Sequence, residues 1–165
     1  MFEQFGEFNS AEEINKVAYE KFNAGDMDAI RKLAAENGID KEDAEDFIYG
    51  AVEELTTPIM AAVGKIQLEC ENLKLKGVLL DWAEELKNMC VNDEAFAKAV
   101  REKGKELATY IAKTAEYGYE NRAIVDKRIV EKTTQIKKLI GNHEFSIGVP
   151  DKRIRKEIAT NYYLG

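Results

Sequence analysis

The chain has 165 residues, with 24 Lys+Arg against 31 Asp+Glu and a formal net charge of −7. Hydrophobic residues make up 45% and charged residues 33%, enough to bury a core and too apolar for wholesale disorder; the length fits one domain or two small lobes. Two cysteines cannot build a disulfide framework, which points to a reducing compartment, and two prolines and 11 glycines exclude collagen-like or linker-dominated chains.

The periodicity is helical almost throughout. Ser10-Ala-Glu-Glu13 reads as a capping box, and Ile14, Val17, Ala18 and Phe22 behind it form one apolar stripe. Gly25-Asp26 breaks that helix and offers Asp26 as the next cap. Ile30, Leu33 and Ala34 share a face until Asn37-Gly38, a left-handed C-cap signal. From Asp40 a helix restarts with acids in its first turns and Ala44, Phe47, Ile48, Ala51 and Leu55 as its buried face. Thr57-Pro58 is a start signal for a helix to about Leu73, and Lys74–Gly77 is a break.

A shorter helix follows, with Val78, Leu79, Trp82, Leu86 and Met89 inward. Asn92 is expected to cap a long helix carrying Phe96, Val100, Leu107, Tyr110 and Ile111 on one face. Gly104 inside it marks a kink or a close helix contact. Residues 117–125 give no clear period. Asp126 then precedes Ile129, Val130, Thr133, Ile136 and Ile140, again at helical spacing. Gly141–Gly148 reads as a loop or a short strand at Phe145–Ile147, and Val149-Pro150 opens a last helix ending at Tyr162-Tyr163. The expectation is an all-α, compact bundle of seven or eight helices, with a short β hairpin near 143–149 as the one departure.

The MFEQFGEF start is acidic where a signal peptide needs basic residues, and no apolar core region follows it. The longest purely apolar run, Ile59–Val63, is far short of the ~20 residues of a spanning helix. A cytoplasmic protein is expected.

Several chemistries lack their residues. With His143 as the lone histidine, neither a Ser-His-acid nor a Cys-His pair has a local signature. Cys70 and Cys90 have no partner pair for zinc and read as small buried hydrophobes. No Glu-x-x-His occurs for a di-iron bundle. Asp40–Asp46 resembles a calcium loop but has Glu45 where the loop needs glycine. Neither a phosphate-cradling GxxxxGK[ST] nor GxGxxG is present. The expectation is a protein without catalysis, metal or cofactor.

Charge is unevenly spread: residues 1–60, 61–120 and 121–165 carry net −10, −2 and +5. An acidic helical core over 1–120 with a basic helical segment over 121–165 packed on it, in one domain, is the organisation expected. On the acidic side, Asp40, Glu42, Asp43, Glu45 and Asp46, followed by Glu53 and Glu54, form a row of carboxylates. Such a row can imitate a nucleic-acid backbone, where duplex DNA carries one charge per ~1.7 Å, and so occupy a basic channel; it equally fits N-terminal helix stabilisation and solubility. On the basic side, Lys127, Arg128, Lys132, Lys137 and Lys138 precede Lys152, Arg153, Arg155 and Lys156. Four cations in the first turns of a helix oppose its macrodipole, which favours an external partner, a phosphate or an acidic surface. Tyr162 and Tyr163 would stack on bases or fill a protein pocket; the alternative is a solvated amphipathic helix anchored by Ile154, Ile158 and one tyrosine. Phe2, Phe5 and Phe8 are expected to tie the N-terminal residues onto the core, the alternative being an exposed interaction segment or dimer seam.

The segments MFEQFGEFNSAEEIN, LAAENGIDKEDAEDFI, ELTTPIMAAVGKI, AVREKGKEL and IRKEIATNYYLG resemble small helical proteins carried by phages and mobile elements of gut Firmicutes, over nearly the full chain. Proteins of that setting include anti-CRISPR inhibitors. The resemblance implies a counter-defence role in a bacterial host cell: a non-enzymatic inhibitor that binds a CRISPR-associated nuclease such as Cas9. The alternatives are a nucleic-acid-binding accessory protein that uses the basic C-terminal segment, or a phage structural or assembly protein.

Overall fold

The computed structural model describes residues 2–165. It is all-α: helices α1 (Ala11–Asn23), α2 (Met27–Glu36), α3 (Lys41–Ile48), α4 (Pro58–Leu73), α5 (Val78–Asn92), α6 (Glu94–Arg101), α7 (Leu107–Glu120), α8 (Lys127–Val130), α9 (Gln135–Ile140) and α10 (Lys152–Leu164). Two strands of two residues, β1 (Ala123–Ile124) and β2 (Ser146–Ile147), pair antiparallel.

Capping chemistry sets the starts of these helices. Ser10 Oγ accepts from the Glu13 N–H, and the Glu13 carboxylate returns to the Asn9 N–H at 2.7 Å. Asp26 and Thr57 cap α2 and α4 through the N–H groups of Ala29 and Met60, as their sequence positions predict. Gly38, at φ +69, turns the chain out of α2.

Two apolar cores meet along α4. The first joins α1–α3 to the start of α4 through Ile14, Ile30, Leu33, Phe47, Leu55 and Ala61, with Phe5 and Phe8 packed against it. The second joins α4–α7 and α10 through Ile66, Trp82, Leu86, Phe96, Leu107, Tyr110 and Tyr163. α4 serves both because its 16 residues present Ala61 to one side and Ala62, Ile66 and Cys70 to the other. The lobes touch closely where Gly38 crosses Gly64: a Cβ on Gly38 would sit 2.3 Å from the Gly64 carbonyl oxygen. Only glycine admits that approach.

Five expectations change. α5 runs through Asn92, so Asp93 caps the next helix by accepting from the Phe96 N–H. The long helix expected after Asn92 is two helices, α6 and α7, because Gly104 (φ +81) closes a turn between them rather than kinking one rod. α3 stops at Ile48, leaving Ala51 exposed, while Leu55 reaches the core from the following loop. The helix expected from Asp126 to Ile140 is two short pieces, α8 and α9, with Ile129 exposed and Val130 buried in its place. The hairpin expected near 143–149 is not local: β2 pairs back to β1, so residues 121–150 leave α7 and return to α10 as one excursion. Its return is seated by Gly148, where a Cβ would overlap the Gly118 carbonyl oxygen on α7.

Candidate functional site

Two charged surfaces emerge, at opposite stages of the chain. The acidic one is α3 with the loop behind it. Asp40, Glu42, Asp46, Glu53 and Glu54 are exposed, since α3 turns Ala44 and Phe47 inward and 3.6-residue geometry sends the carboxylates out. Asp40 stands at the N-cap but its side chain makes no capping hydrogen bond, so it stays free. Asp43 is half-buried, and its carboxyl is pushed above the ordinary aspartate range, first by burial and then by Asp40, Asp46 and Glu42. That repulsion is the local mark of concentrated negative charge. Glu45 differs from the row: Arg31 Nε and Nη2 donate to its two oxygens at 2.7 and 3.0 Å, which holds its carboxyl below the usual range. It is a structural partner of α2, so the carboxylate row is shorter than the sequence implies.

Tyr49, the C-cap residue of α3, is 80% exposed, and Val52 beside it is 44% exposed. Sequence reasoning missed both. The signal was the run Phe47-Ile48-Tyr49, because one helical face cannot bury three consecutive residues.

The basic surface is the excursion with the first turns of α10. Lys127, Lys132, Lys137 and Lys138 are exposed and belong to no ion pair among the described residues. Arg128 is exposed and folds back on Asp126, donating at 3.1 and 2.9 Å. Lys152 and Lys156 are exposed, and Arg153 lies 4.0 Å from Glu157. Asp151 caps α10 at the Ile154 N–H, which offsets part of the repulsion among these cations. Arg155 is withdrawn from the surface: it is bound in bidentate fashion to Glu85 of α5 and donates to the Pro150 carbonyl.

The two tyrosines are not an exposed stacking pair. Tyr163 is 2% exposed and packs edge-on against Phe96, because the apolar face of α10 points into the second core. Tyr162 is half-buried; its hydroxyl accepts from the Glu106 N–H at 2.8 Å, and its ring lies 5.4 Å from Lys105 Nζ. Both hold α10 in place.

The excursion exposes Ile124, Ile129, Leu139, Ile147 and Val149, with Leu139 at 84%. They lie on the same excursion as the lysines, so this basic segment is apolar as well as charged. A cleft of about 540 Å³ opens within it, lined among others by Val130, Ile140 and Phe145 and by Lys127 and Lys137.

A third cluster lies between the lobes and was also missed. Lys65 is fully buried, 3.0 Å from Glu7 Oε1, and donates to the Glu102 carbonyl at 2.8 Å. Arg101, 1% exposed, donates to Asn37 Oδ1 at 2.7 Å under the Phe2 ring, while its Nε and Nη1 have no partner among the described residues. Glu69 accepts from the Leu107 N–H at 3.2 Å and so caps α7 from another helix; burial raises its carboxyl to about 7. Lys65 and Glu69 share the inward face of α4 with Ile66, a placement the helical period already implied. The network stitches the lobes together.

Among the described residues, no group of three or more His, Cys, Asp or Glu is arranged to hold a metal ion, and no helix is long and apolar enough to cross a membrane. The chain matches no protein-family model, and neither a curated protein nor a solved structure matches it.

Proposed function

We propose that this protein is a non-catalytic inhibitor that binds a nucleic-acid-handling partner, a CRISPR-associated nuclease of the Cas9 type, with its acidic α3 surface seated in the partner's basic groove. One observation carries the reading: Asp40, Glu42, Asp46, Glu53 and Glu54 stand exposed with no ion partner among the described residues. A solvated row of carboxylates along a short helix and the loop behind it can imitate the charge of a phosphate backbone, and its attraction to a basic groove falls with added salt. The resemblance to proteins of phages and mobile elements supplies the setting, a counter-defence role in a bacterial cell.

The test is a cleavage assay with purified nuclease, guide and target DNA, alongside direct binding at two salt concentrations. Inhibition by the native protein, weakened at least tenfold by Glu42→Lys with Asp46→Lys, supports the reading. Full inhibition by that variant removes the mimicry mechanism, and no binding to any nuclease tested removes the proposal.

A second reading uses the free lysines of the excursion to bind DNA or RNA directly. It predicts a mobility shift by the isolated protein that is steeply lost with salt.

A further inference from the structure

We infer that the aromatic patch at the acidic end of the first lobe takes arginine side chains of a partner protein, so that this front selects guanidinium groups and not positive charge alone. The inference rests on the acidic front being the binding surface, and it adds which cation that surface prefers. Phe47 of α3 is buried, and the rings of Tyr19 and Phe22 on α1 stand edge-on against it, with centroids 5.5 and 5.8 Å away. Tyr19 and Phe22 remain 43% and 38% exposed. The Tyr19 hydroxyl donates to the Glu53 carbonyl, which brings the loop after α3 to the edge of that ring. The same loop carries the exposed Tyr49 and Val52. Single apolar side chains on a surface are ordinary, whereas rings gathered on one buried phenylalanine, with a loop tied to one of them, form a patch.

The charge around the patch is negative. Residues 46–54 hold Asp46, Glu53 and Glu54, all exposed, and no basic residue. Along α1, Lys16 and Lys21 neighbour the rings, with Glu20 beside them, so four carboxylates face two lysines. None of these six groups belongs to an ion pair among the described residues. Carboxylates at this place repel phosphate, so neither a nucleic acid nor an anionic lipid surface suits the patch, although bare rings would stack on bases. They attract a protein surface that presents cations. Among cations, a guanidinium lays its plane on a ring and is more weakly hydrated than an ammonium, so arginine gains from the ring and from the carboxylate together. The chain uses the same stacking internally, where Arg122 lies 4.0 Å over Tyr119. Among the described residues, no cation lies over Tyr19, Phe22 or Tyr49.

Fluorescence anisotropy tests this with a labelled peptide of about eight arginines spaced by glycine and its counterpart with lysine at every arginine. At about 150 mM salt the native chain should bind the arginine peptide at least about fivefold more tightly. Tyr49→Ser with Val52→Ser should cut that ratio to below about twofold and leave the lysine peptide nearly unaffected. Tyr49→Phe keeps the ring and should keep the ratio. Asp46→Lys should weaken both peptides alike, because it removes charge and no ring. Circular dichroism checks folding, which these exposed positions leave intact. Equal affinity of the native chain for the two peptides overturns the inference, as does binding to neither. An undiminished arginine preference in the double variant overturns it as well, and so does tighter binding of a single-stranded oligonucleotide that the double variant loses. The nuclease reading fails separately: arginine preference without inhibition of any nuclease removes that reading alone, and inhibition without arginine preference removes this inference alone.

Discussion

Arg155 of α10 and Glu85 of α5 face each other as a planar fork, Nε to Oε2 at 2.8 Å and Nη2 to Oε1 at 2.6 Å, across 70 residues of sequence. The pair is largely shielded, with side chains 13% and 25% exposed. It clamps the last helix to the second core from its outer side, while Tyr163 anchors it from within. Arg155→Ala should therefore lower stability by about 1–3 kcal/mol. Denaturant unfolding measures this. The same variant should leave partner binding unchanged, since Arg155 is not a free surface cation.

The crossing of Gly38 and Gly64 sets how closely the two lobes approach. A Cβ on Gly64 would lie 2.6 Å from both the Asn37 and the Gly38 carbonyl oxygens, and backbone cannot swing aside as a side-chain tip can. Gly64→Ala should cost more than about 3 kcal/mol, or prevent folding. Gly25→Ala is the control. It has open space and only an unfavourable φ of +73, so a loss of about 1 kcal/mol is expected. Equal losses in the two variants would show that the lobes do not meet through this crossing.

Glu69 ties stability to pH. Burial raises its carboxyl to about 7, opposed by Lys65 and by the Leu107 N–H, while Glu7 and Glu106 act in the same direction as burial. The folded state then holds a proton that the unfolded chain has already released in the window from the ordinary glutamate range up to about 7. Stability from this group is full below that window and is lost as pH rises through it. Glu69→Gln keeps an acceptor for Leu107 and removes the titration. Its unfolding free energy should be flatter than that of the native protein between pH 5 and 7, and parallel slopes would assign the effect elsewhere.

Cys70 and Cys90 lie in the second core, and burial pushes the Cys90 thiol up to about 12 and raises that of Cys70. Neither should react with a thiol reagent in the native state, because thiolate and access are both lacking. Both should react once the chain is unfolded in denaturant. Rapid native labelling of Cys90 would place it outside the second core.

Much of this molecule was readable along the chain. Apolar spacing at 3 and 4 residues, caps at Ser10, Asp26 and Thr57, and breaks at Gly38 and Lys74–Gly77 placed α1, α2 and α4 and assigned an all-α fold. These are local signals, satisfied within one or two turns of helix. The acidic character of α3 and the basic character of residues 121–165 were equally plain, because charge is a property of composition. What composition leaves open is the partner of each charge. Glu45 meets Arg31 14 residues away and Arg155 meets Glu85 70 residues away, which removes both from the candidate surfaces. Tyr162 and Tyr163 read either as a pair for bases or a protein pocket or as one anchor on a solvated helix; the docking of α10 on α6 and α7 buries Tyr163 and half-buries Tyr162. The excursion misled for the converse reason. Ile129 sits at helical spacing with Thr133, Ile136 and Ile140, yet no second layer covers it, since β2 returns to β1 rather than to the core. Secondary structure follows from neighbours in sequence, whereas exposure and ion pairing depend on contacts between segments far apart in the chain, and only the packed fold decides those.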